Sequence, residues 1–358
     1  MTGISGKESA IVVLANVSRF FGAVKAVSEL SFSIIEGEFF SLLGPSGCGK
    51  TTTLRLIAGL ERPDRGEITI GQAVVAGEKI WVAPEKRGVG IVFQDYALFP
   101  HMTVYQNIAF GLKGFSRDEI RKRVMHILAV VGLIGLGERY PHELSGGQCQ
   151  RVALARSLAP SPKVILLDEP FSNLDADLRE ELRTETKRIL KENGATTILV
   201  THDQEEAFSL SDRVGVLNQG RLEQIGTPAE IYHQPSSRFV ADFVGKADFV
   251  AGVVGEGSVR AGIWDFPVSY EKKMAGCKVD LMIRPDDVDF VLNPDGNAII
   301  SEARFLGASI MYKLQLADGT IIHSLKPSTK VIPPGSKVKI SIDTDHVVVF
   351  AKDTDRAS

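Results

Sequence analysis

Residues 39–51 read Phe39-Phe40-Ser41-Leu42-Leu43-Gly44-Pro45-Ser46-Gly47-Cys48-Gly49-Lys50-Thr51, and a helical pattern continues from Lys50 to residue 59. The first five residues make a short apolar run, as a strand buried on both faces requires. From Gly44 the spacing is G-x-x-x-x-G-K-[ST], the phosphate-binding loop. Each residue type there has a physical reason. Glycines let the backbone curl until successive N–H groups point inward at phosphate oxygens. Lys50 adds a mobile positive charge for the β and γ phosphates, and the Thr51 hydroxyl can ligate Mg2+. The helix that opens there aims the positive end of its dipole at the anion. Strand, glycine turn and helix in that order predict a nucleotide-binding α/β fold.

The alternation extends outward from this stretch. Apolar runs over 164–167 and 197–200 read as further buried strands, and helical periodicity covers 117–131, 150–158 and 178–192. From residue 11 to about 216 the pattern therefore predicts an α/β P-loop domain around a largely parallel sheet. After about residue 243 the texture changes. Strand-like runs over 249–254, 278–284, 303–306, 310–315, 337–342 and 347–350 are separated by Pro, Gly, Asp and Asn. They predict a second, all-β domain in the form of a small barrel. The turn-rich Gln234-Pro235-Ser236-Ser237 approaches the boundary, placing the domains at 1–242 and 243–358.

Two further stretches carry chemistry. The apolar run Val164-Ile165-Leu166-Leu167 ends in adjacent acids, Asp168 and Glu169. A buried strand avoids such a pair unless something compensates the charge. Mg2+ suits Asp168, and a water to be activated suits Glu169 as general base. The second stretch is Leu144-Ser145-Gly146-Gly147-Gln148, ahead of the helical run 150–158. It makes another anion-binding helix start, with bare N–H groups and a hydroxyl. One nucleotide has no need of two cradles from one chain, but two chains set head to tail could each close the other's site.

Composition excludes several classes. Hydrophobic residues are 44% and charged residues 24%, as in ordinary globular chains, and the net charge of −3 does not mark a dedicated nucleic-acid binder. Three scattered cysteines, Cys48, Cys149 and Cys277, are too few for a disulfide framework and fit a reducing compartment. The first residues lack the basic-then-apolar order of a signal peptide. The longest clearly apolar stretch, 127–134, falls far short of the roughly 20 residues that span a bilayer. A membrane role must therefore come through a partner.

In order along the chain stand Gly44–Thr51, Gln94, Leu144–Gln148, Asp168–Glu169, Ser172-Asn173-Leu174-Asp175 and His202. This ordered set resembles the ATP-binding cassette (ABC) ATPases over nearly all of residues 11–240. The resemblance implies ATP and Mg2+ as ligands, held by Gly44, Pro45, Ser46, Gly47, Cys48, Gly49, Lys50, Thr51 and Thr52. It implies Thr51, Gln94 and Asp168 around the metal, with Gln94 sensing the γ-phosphate and touching a membrane partner. Glu169 and His202 are the implied catalytic pair, and Asp175 belongs to a loop that communicates across a dimer. Ser145, Gly146, Gly147 and Gln148 close the partner's nucleotide. Phe21 takes the place of the aromatic that stacks on adenine, with neighbouring Phe20 a competitor. A helical subdomain is implied over about 95–160.

Pro141-His142-Glu143-Leu144, Leu98-Phe99-Pro100-His101-Met102 and the β-rich tail narrow the resemblance to importer ATPases with a C-terminal OB-like (TOBE) regulatory domain. Leu281-Met282-Ile283-Arg284-Pro285-Asp286-Asp287 resembles that domain's internal signature. The implied assembly is a homodimer on two permease subunits at the cytoplasmic face of the plasma membrane, served indirectly by a substrate-binding protein and without nucleic acid. Cys149 departs from the usual Gln and suggests an oxidisable thiol near the ATP interface. Asp286, Asp287 and Asp289 read as a solvated turn. Texture around 139–143 and 244–249 favours ferric iron as cargo, ahead of polyamine, sulfate or another oxyanion, and sugar. The rival readings are a soluble ABC ATPase on nucleic acid or the ribosome, an exporter motor, and a P-loop kinase or GTPase. A single P-loop, the absence of heptads, the β-rich tail and the 144–148 stretch weigh against them in turn.

Overall fold

In a computed structural model the chain is described at residues 10–172, 176–267, 276–343 and 346–352. It divides into two compact units that part between Pro228 and Ala229. In the first, β1 (Ala10–Phe21) and β2 (Val24–Ile35) form a hairpin turned at Gly22, whose φ is 59°. β3 (Phe39–Leu43) leads through the glycine turn into α1 (Lys50–Ala58). β4 (Arg65–Ile70) and β5 (Ala73–Ala76) join the hairpin in an antiparallel sheet ordered β2-β1-β4-β5. Then follow β6 (Val89–Val92), α2 (Val104–Ala109), α3 (Arg117–Val130), α4 (Gly146–Leu158), β7 (Val164–Asp168) and α5 (Ala176–Glu192). The unit closes with β8 (Thr196–Thr201), α6 (Gln204–Leu210), β9 (Arg213–Asn218) and β10 (Arg221–Gly226).

The main sheet runs β10-β9-β3-β8-β7-β6, and only the β9–β10 pair is antiparallel. Its central strands are buried along nearly their whole length and largely apolar because both faces are covered, and alternate residues serve opposite cores. Val164 and Leu166 join Phe40, Leu42, Ile198 and Val200 on the side that β1, β2, β4 and α1 cover with Leu14, Ile34, Ile68 and Leu54. Ile165 and Leu167 join Phe39 and Leu199 on the other side, under Ile108, Val124, Leu128 and Leu154 from α2, α3 and α4. Truncating any of these buried leucines to alanine should cost about 2–5 kcal/mol.

Two differences from the sequence reading have local causes. α4 begins at Gly146 rather than residue 150. Ser145 accepts from the Gln148 N–H at 3.3 Å while Gln148 Oε1 accepts from the Ser145 N–H at 3.0 Å, a reciprocal cap that starts the helix in glycines. The antiparallel sheet was not foreseen, because a two-state alternation of strand and helix hides a hairpin that pairs outside the main sheet.

Among the described residues the second unit is all-β apart from a 3-10 turn at Pro285–Asp287 and two short helices, α7 (Pro228–His233), which the sequence reading placed in the first domain, and α8 (Arg238–Phe243), which its boundary at 242/243 cuts. The guanidinium of Arg284, wholly buried, donates to the carbonyls of Tyr232 (3.0 Å), Ala241 (2.9 Å) and Gly245 (2.9 Å), tying both helices to this unit. Its strands are β11 (Asp248–Val254), β12 (Ser258–Ala261), β13 (Trp264–Pro267), β14 (Lys278–Ile283) and β15 (Val288–Leu292). β16 (Ala298–Phe305), β17 (Ser309–Leu316), β18 (Ile321–Pro327), β19 (Lys337–Ile342) and β20 (Val348–Ala351) complete it. They make two antiparallel sheets, β13-β12-β11-β14-β20 and β15-β19-β16-β17-β18, over one shared core that includes Leu281, Phe290, Tyr312 and Ile322. The second sheet curls so that its edges meet. Ser324 Oγ on β18 donates to the Val288 carbonyl on β15 at 2.5 Å, and Lys326 pairs with Asp289.

The acids read as a solvated turn do lie at a turn, a short 3-10 stretch over Pro285–Asp287, with Asp286 and Asp289 exposed, but each also has a partner. Asp286 accepts from the Tyr232 hydroxyl at 2.9 Å, and Asp287 pairs with His346 at 3.2 Å. The hydrogen bond from Lys326 holds the Asp289 carboxyl below its usual range. Among the described residues no group of three or more His, Cys, Asp or Glu side chains could hold a metal. No described helix is long and apolar enough to cross a membrane.

Candidate nucleotide-binding site

Because β3, β8, β7 and β6 run parallel, their carboxyl ends share one edge of the main sheet. The register sets Leu43 beside Thr201, Val200 beside Asp168, and Leu167 beside Val92. The chain leaves these ends through Gly44, His202, Glu169 and, two residues past β6, the exposed Gln94. Residues far apart in sequence thus gather along the edge where open α/β sheets hold their ligands.

The glycine turn is tightly built. A Cβ on Gly44 would lie 2.6 Å from Cys48 Sγ and against the Leu217 carbonyl, and one on Gly49, whose φ is 105°, would collide with the Ala26 carbonyl. Gly47 has φ 80°, another conformation that favours glycine. Pro45 is half-buried, Ser46 and Gly47 are exposed, and Cys48 is buried beneath them, its thiol pushed up by that burial. Lys50 lies inside the loop, and its Nζ donates to the carbonyls of Gly44 (2.7 Å) and Pro45 (2.9 Å). Thr51 and Thr52 follow on the first turn of α1, both half-buried.

At the end of β7, Asp168 Oδ1 accepts from Thr51 Oγ1 at 3.3 Å. Burial is the main cause that raises the Asp168 carboxyl, outweighing the Thr51 hydrogen bond, and the Glu169 charge raises it further. This carboxylate and hydroxyl are hard oxygen donors in a desolvated place, a donor set that fits Mg2+. Glu169 adopts φ 45°, an αL conformation that costs a non-glycine residue about 1–2 kcal/mol and is met at functional sites. Its N–H donates to the Val200 carbonyl at 2.9 Å, and the Ser172 hydroxyl donates to its carbonyl at 3.0 Å. These bonds hold the turned backbone. The Glu169 Oε2 lies 3.1 Å from Nδ1 of the exposed His202, so the two side chains expected to act together are in contact.

Other expected residues lie on other elements. Ser145 and Gly146 lie exposed at the start of α4, Gly147 is buried, and Gln148 closes the cap. The first N–H groups of any α-helix have no acceptor within the helix, so this end can take an outside anion. Asp175 falls outside the described residues. Phe21 is 45% exposed at the end of β1, whereas Phe20 is half-buried. The Cys149 thiol donates to the Pro141 carbonyl at 3.5 Å, and burial raises its pKa, which works against the thiolate that oxidation requires.

Arg156, on α4, was not singled out in the sequence. It donates to the carbonyls of Ala97 (2.5 Å) and Tyr96 (2.8 Å), both residues of positive φ just after Gln94. An arginine amid the apolar residues of a helix was the available signal, but its partner cannot be read without the fold.

A strand-to-helix phosphate loop, with carboxylates and a histidine on the neighbouring strand ends, defines a P-loop nucleotide hydrolase. A profile of the ABC transporter family matches residues 27–172, and a TOBE-domain profile matches residues 281–350. The chain is 44% identical to the trehalose/maltose import ATP-binding protein MalK of Thermococcus litoralis, covering 97% of this chain and 99% of the relative. It is 43% identical to the spermidine/putrescine import ATP-binding protein PotA of Rubrobacter xylanophilus (95% and 93% covered). Identity is 42% to the Fe(3+) ions import ATP-binding protein FbpC of Rhizobium etli (95% and 97%). Among solved structures, the dimeric post-hydrolysis ATP-binding cassette MJ0796 with ADP and Pi superposes with a TM-score of 0.52 at 33% identity, over 61% of this chain and 98% of that one. The chain belongs to the ABC transporter family, as an importer ATPase that carries a TOBE domain.

Proposed function

We propose that this chain works as a homodimer on two permease subunits, peripheral at the cytoplasmic face of the membrane, each nucleotide lying between Lys50 of one copy and Ser145 of the other. The observation that carries this is the pair of cradles. The Gly44–Thr51 loop sits at the sheet edge with Asp168, Glu169 and His202, whereas the Ser145–Gln148 helix start is exposed on another element. In support, the relatives are named import ATP-binding proteins and the solved cassette is titled dimeric. A substrate-binding protein would serve the assembly from the far side.

Within each site Thr51 and Asp168 would hold Mg2+, with Gln94 beside them. Held by these residues, Mg2+ would supply positive charge to the phosphate oxygens while the γ-phosphoryl group passes to water and ADP departs. Lys50 exchanges its carbonyl partners for phosphate oxygens, and Phe21 offers its open ring to adenine. Glu169 orients and deprotonates the attacking water, and His202 steadies Glu169 and supports the γ-phosphate. Opening after hydrolysis passes motion to the permease through the Gln94 region. Glu169→Gln should keep ATP binding and lose about 10²–10⁴-fold in turnover. A wild-type rate in that variant removes Glu169 from the role of base.

For cargo we propose ferric iron, on the texture of the sequence around 139–143 and 244–249. Relatives named for sugar, polyamine and Fe3+ import stand at 42–44% identity, so likeness does not select among them. Uptake of radiolabelled Fe3+ should fall to background in cells lacking this chain and return with the wild type, but not with Glu169→Gln. Loss of polyamine, sulfate or sugar uptake with Fe3+ uptake intact would reassign the cargo.

A further inference from the structure

The end of β1 carries an arrangement that the reading of Phe21 leaves unexplained. Arg19 and Phe21 are two residues apart at the end of β1, where the pairing with β2 shifts register between Arg19 and Phe20, and their side chains meet. The Arg19 guanidinium carbon stands 4.6 Å from the centroid of the Phe21 ring. That guanidinium is itself pinned, by Glu61 at 3.0 Å and Asp64 at 3.2 Å. Asp64 also accepts the N–H of Phe20 at 2.7 Å, so one acid fastens both the cation and the strand end. Arg19 is mostly covered, with 22% of its side chain exposed, whereas Phe21 stays 45% exposed.

We propose that Arg19 is a positioning residue of the nucleotide site, whose pinned guanidinium backs one face of the Phe21 ring and presents the other face to the purine. This rests on the reading of Phe21 as the adenine platform. An exposed phenyl ring at a hairpin end otherwise samples several rotamers, and ordering it on binding costs affinity. A flat cation stacked on one face fixes the ring before the nucleotide arrives. It also draws electron density from the ring, which favours stacking of an electron-rich purine opposite. Glu61 and Asp64 set the guanidinium plane, and their charges keep the bare cation from competing with Lys50 for phosphate.

Steady-state ATP hydrolysis by the full chain tests this with four variants: R19M, R19K, F21A and the double variant R19M/F21A. R19M should raise KM for ATP about three- to tenfold, with kcat held within about twofold. R19K keeps a charge for Glu61 and Asp64 without the flat stack, so it should raise KM similarly while guarding against a folding defect. The double variant should match F21A alone, because Arg19 acts through the ring. An unchanged KM in R19M and R19K beside a raised KM in F21A overturns the proposal. So do multiplicative effects in the double variant, which would make Arg19 independent of the ring. An unchanged KM in F21A removes the platform reading itself, and the role of Arg19 with it.

Discussion

The two glycine-bearing turns, Gly44–Thr51 and Ser145–Gln148, are both helix starts, yet they are built to opposite ends. The first is enclosed by its own chain. It lies at the end of a buried strand, Gly44 and Gly49 sit where a Cβ would meet backbone, and Lys50 is 5% exposed. The second is closed by its own reciprocal cap, with Ser145 and Gly146 open at the surface while Gly147 is buried. Enclosure gives affinity to a loop that binds alone. Exposure suits a surface that must meet a second body. In the proposed dimer the same local device, bare N–H groups at a helix start, would serve once as a pocket and once as a face.

Substitution in each turn should separate the two roles. Lys50→Ala should abolish detectable ATP binding by the isolated chain and cut turnover by about a hundredfold or more, as read by nucleotide titration and phosphate release. Ser145→Ala should leave ATP binding by the isolated chain near wild type, yet lower turnover about tenfold. Its lost cap should cost about 1 kcal/mol in thermal or denaturant unfolding. Equal loss of binding in both variants would erase the distinction between pocket and face.

A smaller effect should follow from the raised carboxyl of Asp168. Burial makes the folded chain hold that proton to higher pH than the unfolded chain does. Its contribution to stability is therefore full below the ordinary carboxylate range and is lost as pH rises through the raised value. Asp168→Asn removes that loss. Without nucleotide the variant should melt above wild type at neutral pH, with the gap closing as pH is lowered. Added Mg2+ and ATP should then stabilise the wild type much more than the variant. A variant that melts below wild type at neutral pH would contradict the cost assigned to the buried charge.

Much of this was legible because the informative residues are local. Gly44 to Thr51 needs only its own spacing, and Asp168 and Glu169 betray themselves as acids closing an apolar run. The contact between Glu169 and His202 was not legible, since it depends on β7 and β8 being neighbours in the sheet. Nor was the grip of Arg156 on the backbone after Gln94, or that of Arg284 on the carbonyls around α7 and α8. Each joins an arginine to backbone oxygens, and every residue offers one, so the partners' residue types carry no signal. The partners of Asp286, Asp287 and Asp289 were hidden for a related reason: Tyr232, His346 and Lys326 lie far away in sequence.

The central claim is that two copies of this chain close on two nucleotides, each held between Lys50 of one copy and Ser145 of the other. The most direct measurement is the solution mass of the Glu169→Gln variant by light scattering, with and without ATP, beside the same variant carrying Ser145→Arg. ATP should convert Glu169→Gln from a lighter species to a stable dimer with two bound nucleotides, and the added arginine should prevent that conversion without abolishing ATP binding. An ATP-independent mass, or a dimer that forms equally well with Ser145→Arg, would contradict it.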